Sequence, residues 1–452
     1  MRFGVSQRVN LVLFVLVVLL TRIPWLTPGY GMDSDAWRVV RAARHIAETG
    51  DYTLSRLPGY PLQEYLLSWI GPSAPMVVNG LTALFSSMAC LYFVLILRFF
   101  HIKRIFLWGI AFALVPAVYI NSVNSMDYMW ALAFVLAAVY LVLKDRPVLA
   151  GLCLGLAVGC RMTSAAMLLP LGIWMAVIYA NKSYTRLLSL TGTTLAFGAL
   201  CYIPVFVHYG MGFLTFYDVS GYPTLATLAG RGVLRVWGVW GAAGLFFIFV
   251  LALFNRQIVK MSWHDLEKRS GILLCLTTVA IYTAAFLRLP HEAGYLIPVV
   301  PFLILGVNLI MRSRYTPGLA IALLLSSFLV SVERSGIEWT GPVIQDHFKR
   351  TDQIHRINRI LAAVDKLEGP AVMVTGSLLP QIQVMTGDPA DDEKIFVDLV
   401  SDKEQIESYT SRGADIYVLE EAISYNEQVY QIDLLKLGAV SFDSLLTNHS
   451  TR

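Results

Sequence analysis

The chain has 452 residues, 56% of them hydrophobic and only 15% charged, with a mean hydropathy of +0.61. That balance excludes an ordinary soluble globular protein with a wetted charged surface and points to a polytopic membrane protein. A net charge of only +4, carried in small basic groups between apolar runs, argues against a nucleic-acid partner.

A helix needs roughly 20 apolar residues to cross roughly 30 Å of hydrocarbon. Eleven candidate spans are read on that basis, at about 9–26, 75–97, 105–120, 128–143, 148–160, 163–180, 187–206, 233–254, 271–287, 295–311 and 316–332. The fifth and sixth are short and are separated by taking Arg161 as a turn at the membrane surface. The first run follows Arg2 and Arg8 like a signal peptide. Arg22-Ile23-Pro24-Trp25 stands where a small-residue cleavage site belongs, so an uncleaved anchor is expected.

Basic residues fall in alternate short loops: Arg98/Lys103/Arg104, Lys144/Arg146, Lys182/Arg186, Arg256/Lys260/Lys268/Arg269 and Arg312/Arg314. By the positive-inside rule these loops and the N-terminus are cytoplasmic, in a plasma (inner) membrane. An odd number of spans then puts everything after about residue 333 on the outer face. In that polar stretch, 334–452, apolar runs at 371–375, 395–400 and 416–420 alternate with helical patterns at about 352–367, 403–411 and 422–437. The expected fold is therefore an α-helical polytopic membrane domain over 1–333 followed by a small α/β domain over 334–452. The latter carries no Walker or dinucleotide-type glycine motif. The five cysteines, Cys90, Cys153, Cys160, Cys201 and Cys275, lie in or beside apolar segments and form neither a disulfide framework nor a zinc-type spacing.

The first outer loop, about 27–74, is long for a linker and keeps its charge. It contains Gly31-Met32-Asp33-Ser34-Asp35-Ala36-Trp37. From about 35 to 48, Arg38, Arg41, His45 and Glu48 alternate with Trp37, Val40, Ala43 and Ala47 at helical spacing, the pattern of a helix lying in the interface plane. Asp33, Ser34 and Asp35 fit two roles, capping of that helix and a functional carboxylate, and two acids are more than one cap needs. Asp127, after Asn121-Ser122-Val123-Asn124-Ser125-Met126, is a second isolated acid at the same face; it is either a cap for the fourth span or a functional group, since ionisable side chains at membrane depth are costly. Arg161, Arg231 and Arg235, and Arg288-Leu289-Pro290-His291-Glu292, fall on that face too.

These parts fit transfer of a sugar from a polyprenyl phosphate to a hydroxyl. That reaction needs one base for the acceptor proton and cationic groups or a metal for the departing phosphate, whereas glycoside hydrolysis needs a pair of carboxyl groups. Asp35 is the candidate base, with Asp127 a second catalytic carboxylate; Arg56, Arg161, Arg288, His291 and Glu292 are candidates for the phosphate and donor. Asp33 and Asp35 together also offer oxygens to a divalent cation such as Mg or Mn, in an incomplete shell.

At these residues the chain resembles the integral-membrane glycosyltransferases of the C superfamily (GT-C), among them protein O-mannosyltransferases and the bacterial aminoarabinose and lipopolysaccharide-core sugar transferases. The resemblance covers the first ten spans and is strongest in the first loop. There Asp35, the helix to Thr49, Gly50-Asp51-Tyr52 and Arg56-Leu57-Pro58-Gly59-Tyr60-Pro61-Leu62 match the acidic motif, interfacial helix, Gly-Asp-aromatic segment and proline-rich turn of those enzymes. It implies that Asp35 rather than Asp33 is the base, and that Asp127 is the second acidic position. The Gly-Leu-rich run 150–160 ending in Arg161 is similar to the family's fifth span. His291-Glu292 with Tyr295 and Pro298 looks like a shortened His-Lys-Glu motif without its lysine, or else a polar turn. The family's Asp-Glu pair is Asp35-Ala36 here. The resemblance implies a polyprenyl-phosphate sugar donor entering from the bilayer, an acceptor of unstated kind, and a hexosyl- or pentosyltransferase of cell-envelope glycosylation.

Two other classes compete. A transporter or flippase of lipid-linked sugars would place its charges near the midplane in broken, repeated helices, and a non-catalytic scaffold would not need Asp35. Trp25, Tyr30, Trp37 and Tyr60 are either interfacial belt residues or sugar-stacking rings. The triplets 181–183 and 448–450 match the glycosylation pattern and are given no role.

Overall fold

The structure is a computed structural model that describes residues 5–71, 74–179, 183–214, 222–259, 265–333, 336–387 and 393–442. Lys182, Lys260, Asn181 and the 448–450 triplet lie outside them. Among the described residues, seven helical segments are long and apolar enough to cross a membrane: Val5–Trp25, Pro75–Phe99, Met162–Tyr179, Tyr184–Leu214, Leu225–Phe254, Leu266–Arg288 and Ala293–Ile310. Three shorter apolar helices accompany them, Tyr128–Leu143, Pro147–Cys160 and Pro317–Ser326.

In chain order, α1 (Val5–Leu20) ends in a 3-10 turn at Ile23–Trp25, and α2 (Ser34–Thr49) and α3 (Pro61–Ile70) fill the first loop. Then come α4 (Pro75–Phe99), α5 (Ile105–Ala113), α6 (Pro116–Ile120), α7 (Tyr128–Leu143), α8 (Pro147–Cys160), α9 (Leu168–Tyr179), α10 (Ser183–Tyr209), α11 (Leu225–Ala229), α12 (Arg235–Phe254), α13 (Leu266–Arg288), α14 (Val299–Ile310) and α15 (Pro317–Ser326). A helix stands where one was predicted over 35–48, as α2, and Arg161 does separate the two short spans, standing in extended conformation between α8 and the turn Met162–Met167.

Two spans differ from the reading of the sequence. The run 105–120 is broken between α5 and α6, because Pro116 lacks an N–H and pushes Val115 to extended backbone (φ −67°, ψ 130°). The run 316–332 is helical only to Ser326; its β-branched end, Leu329–Glu333, is a strand β1 paired antiparallel with β2 (Gly336–Thr340).

Helix α16 (Pro342–Val364) starts ten residues before the predicted 352, its first turn set by Pro342, and links the hairpin to the α/β domain. There β3 (Ala371–Val374), α17 (Leu379–Thr386), β4 (Lys394–Val397), α18 (Lys403–Ser411), β5 (Asp415–Val418), α19 (Glu420–Tyr430) and β6 (Val440–Ser441) alternate, and the sheet is parallel throughout in the order β4-β3-β5-β6. All four β3 residues are buried, as a strand covered by helices on both faces must be. Helix α17 was not predicted, and α19 stops at Tyr430, short of 437, with a 3-10 turn at Leu435–Leu437.

The two ends of the helical domain differ in charge. His101, Lys103, Lys268, Arg312 and Arg314 line one cavity at one end, whereas Asp35, Asp127, Arg161 and Glu292 all sit at helix starts and ends or loops at the other. At that second end two buried arginines tie loops to helices. Arg22 donates to the Ala113 carbonyl (2.5 Å) and Ser122 Oγ (3.1 Å). Arg350, on α16, donates to the carbonyls of Val123 (2.8 Å) and Trp25 (2.6 Å). Arg350→Met leaves both carbonyls without this donor and is expected to lower stability by about 3 kcal/mol. Thermal unfolding of the detergent-solubilised protein checks this, together with faster proteolytic release of the α/β domain.

Candidate active site

Helix α2 begins where it does because Asp33 is its N-cap: with extended backbone (φ −75°, ψ 137°), it accepts the Asp35 N–H at 2.9 Å. The approach is fixed by Gly31 (φ +153°), whose carbonyl accepts the Trp37 indole N–H at 2.8 Å and whose Cβ would lie 2.9 Å from that of Ala36. Burial pushes the Asp33 carboxyl above its usual range, with Asp35 adding repulsion. Of the two acids, Asp33 does the capping, which leaves the Asp35 side chain for other partners.

Those partners are arginines. Asp35 Oδ2 lies 3.1 Å from Arg56 Nε and Oδ1 lies 3.4 Å from Arg38 Nη1, and the side chain keeps 29% of its surface exposed. Arg56 continues to Asp127, its Nη2 2.6 Å from Oδ1, and Arg161 Nη1 meets Oδ2 of the same carboxylate at 2.6 Å. Asp127 occupies the N-cap position of α7, yet its side chain makes no capping hydrogen bond. It is fully buried and given over to two guanidiniums. Two carboxylates thus face three guanidiniums, those of Arg38, Arg56 and Arg161, in one linked cluster, and Arg56 Nη1 is buried without a hydrogen-bond partner among the described residues.

Aromatic faces complete the cage. The Arg56 guanidinium lies 3.9 Å from the Tyr60 ring centre, and that of Arg161 lies 4.3 Å from Tyr128 and 5.0 Å from Tyr295. Tyr60, named from the sequence, therefore holds an arginine. Tyr30 and Trp37 pack edge to face with ring centres 5.0 Å apart and are buried, and Trp25 packs on Tyr119, Phe328 and His347. Tyr30 and Trp37 therefore present no open ring face to a sugar, while Trp25 stays half-buried.

Sequence reasoning passed over Glu64. This buried α3 carboxylate accepts the Ser55 N–H (2.8 Å), Ser55 hydroxyl (2.6 Å), Tyr60 N–H (3.2 Å) and Tyr52 hydroxyl (2.5 Å). Its four bonds fold the 52–60 loop into the shape that delivers Arg56. The available signal was an acid inside the run Pro61-Leu62-Gln63-Glu64-Tyr65-Leu66-Leu67. Gln63 beside it donates to the Ser125 carbonyl at 2.8 Å and ties α3 to the Asp127 loop.

The loop after α13 contributes Glu292, which burial pushes up to about 7, with Asp33 and Asp35 adding repulsion against the pull of Arg235 and Arg231. Arg231 Nη1 also donates to the Pro290 carbonyl at 2.8 Å. Arg288 and His291 are exposed and make none of the cluster's ion pairs. The residues brought together are Asp33, Asp35, Arg56, Asp127, Arg161 and Glu292.

Asp33 and Asp35 do not fit a divalent cation well. One Asp33 oxygen caps α2, both Asp35 oxygens face guanidiniums, and the described residues hold no group of three His, Cys, Asp or Glu side chains able to take a metal.

No family model and no curated protein matches the chain. Among solved structures, it is similar to ArnT from Cupriavidus metallidurans bound to undecaprenyl phosphate, with TM-score 0.58 and 12% identity over 98% of this chain and 91% of that one. The apo form of ArnT matches with TM-score 0.55 and 12% identity, over 97% and 90% of the two chains. The match spans nearly the whole chain, beyond the first ten spans over which the sequence resemblance was drawn.

Removing one partner of a buried ion pair strands the other charge. Asp127→Asn, which leaves Arg56 and Arg161 without their shared carboxylate, is expected to lower stability by about 3–5 kcal/mol. Asp35→Asn, at a partly exposed site with Asp127 still in place, should cost much less; comparison of the two unfolding curves checks this.

Proposed function

We propose that the chain transfers a sugar from a polyprenyl-phosphate-linked donor to an acceptor hydroxyl at the outer membrane face, inverting the anomeric centre, with Asp35 as general base. The observation that carries this reading is the double tie of Arg56 to Asp35 and Asp127, with its third nitrogen buried and unpartnered among the described residues. A fixed cationic N–H beside a partly exposed carboxylate is what a departing phosphate and an acceptor proton require. The likeness to a fold crystallised with undecaprenyl phosphate supports the same donor class. The cluster's place at helix ends rather than mid-helix favours a transferase over a transporter.

In the proposed step the acceptor oxygen attacks the anomeric carbon as its proton passes to Asp35. The carbon–phosphate oxygen bond breaks, and its electron pair leaves with the phosphate. The sugar phosphodiester carries one negative charge and the departing polyprenyl phosphate two, so cationic N–H groups near it stabilise products and transition state more than substrate. Arg56, with Arg161 behind it, serves that charge. Asp127 holds both arginines in place. The 3.4 Å contact from Arg38 is the weaker of the two on Asp35, so Oδ1 is the oxygen that receives the proton.

Asp35→Asn should lower transfer by about 10²–10⁴-fold while the folded protein retains polyprenyl-phosphate sugar. Transfer in membranes and mass spectrometry of copurified lipids read the two results, and unimpaired transfer would falsify the base assignment. Ionisation of Glu292 above pH about 7 adds negative charge beside Asp33 and Asp35 and opposes the donor phosphate. kcat/KM for the donor should therefore fall as pH rises through that value, and Glu292→Gln should remove the limb, since a phosphodiester does not titrate there.

A further inference from the structure

The α/β domain has its own crevice. From β3 the chain passes through α17 to β4 on one side, then crosses back through α18 to β5 on the other, so the direction of winding reverses between β3 and β5. In open parallel sheets ligands bind outside the carboxyl ends of the strands at such a reversal. A cavity of about 680 Å³ lies there, within the range of small-molecule sites. Ser377 follows β3 and Glu421 opens α19; α16 forms the facing wall with Lys349, Arg356 and Arg359. Met32 and Ser34, on either side of Asp33, line the cavity too, and Ser34 directly precedes Asp35.

We propose that this crevice binds an anionic group, phosphate or carboxylate, carried by a saccharide acceptor, and holds that acceptor with its hydroxyl toward Asp35. The inference rests on the transferase reading and adds the class of acceptor to it. Charge sets the class: three cations, Lys349, Arg356 and Arg359, line the crevice against two carboxylates, Asp352 and Glu421. Glu421 is committed to Arg356, with which it forms an ion pair, so the guanidinium fork is held in one orientation before any ligand arrives. His355 is exposed on the same wall. The walls come from α16, α17 and α19, not from membrane helices, so a lipid tail finds no groove here. The donor belongs on the other side of the α2 start, where Arg56 and Arg161 stand. One helix start thus separates a donor phosphate site from an acceptor anion site, with Asp35 between them.

Binding to the full-length protein in lipid nanodiscs, followed by saturation-transfer NMR, tests this with glucose 6-phosphate, glucuronate and uncharged glucose. At least one charged sugar should bind tenfold more tightly than glucose, the better of the two telling phosphate from carboxylate. Arg356→Ala/Arg359→Ala should abolish that preference and Asp35→Asn should leave it intact. Because the double variant removes the Glu421 pair, the exposed single variant Arg359→Glu provides a second reading and should weaken charged-sugar binding at least fivefold. Equal binding of all three sugars, or an undiminished preference in Arg359→Glu, overturns the proposal. Failure of the transferase reading registers separately, as unimpaired transfer by Asp35→Asn.

Discussion

The arrangement of the second end of this molecule depends on one guanidinium. Arg56 is nearly buried and shared between a carboxylate on α2 and another at the head of α7, elements brought together only by folding. Charges taken out of water are tolerated only when geometry keeps them paired. Any shift of the 52–60 loop would strand Arg56 and leave Asp127 with Arg161 as its one guanidinium among the described residues. Glu64 prevents that shift with four accepted hydrogen bonds and no cation at all, while Tyr60 and Tyr128 close over the guanidiniums. The result is a cationic group that cannot reorganise, the condition under which charge stabilises a reaction without first paying to orient dipoles.

How much of this was legible in the sequence follows from which signals are local. The apolar runs marked the membrane helices, because lipid requires every backbone group to be bonded within the segment. The break inside 105–120 was also local, in Pro116, but hydropathy alone does not register a proline. In the α/β domain the runs at 371–375 and 416–420 were visible as short apolar strands, whereas α17 was not, being only eight residues long and joined to β3 by a turn.

The candidate site was legible in its members and not in its connections. Asp35, Asp127, Arg56 and Arg161 stood out because ionisable groups are rare among apolar ones. Their order of contact depends on loop closure over 71 residues between Arg56 and Asp127, and over 34 between Asp127 and Arg161, which no local pattern encodes. The same distinction accounts for Arg288 and His291. They lie beside Glu292 in sequence, but α13 ends with Arg288 exposed, and the arginines that reach Glu292 come from the other side, from the segment 230–235 at the start of α12. Glu64 carried the same mark, an acid within a hydrophobic run, but its partners, two backbone N–H groups and the hydroxyls of Ser55 and Tyr52, leave no trace in a sequence.

The α/β domain is more than an appendage to this site, because it grips the helix that carries Asp35. On α2, Arg41 bonds Gln383, and Arg44 donates to the Val384 carbonyl at 2.6 Å, both partners belonging to α17. Arg38, one turn after Asp35, lies within electrostatic reach of Asp398 beyond β4, a carboxylate raised by burial, with Arg38 opposing the rise and Oδ1 left without a hydrogen-bond partner among the described residues. Arg38 is thus shared between the domain and the candidate base, whereas Arg56 belongs to the membrane side alone. The Arg38 contact is the longer of the two that Asp35 makes with guanidiniums, 3.4 Å against 3.1 Å from Arg56. The α/β domain therefore bears on the Asp35 carboxylate through the helix it clamps, while Arg38 on that helix faces carboxylates of both parts of the chain.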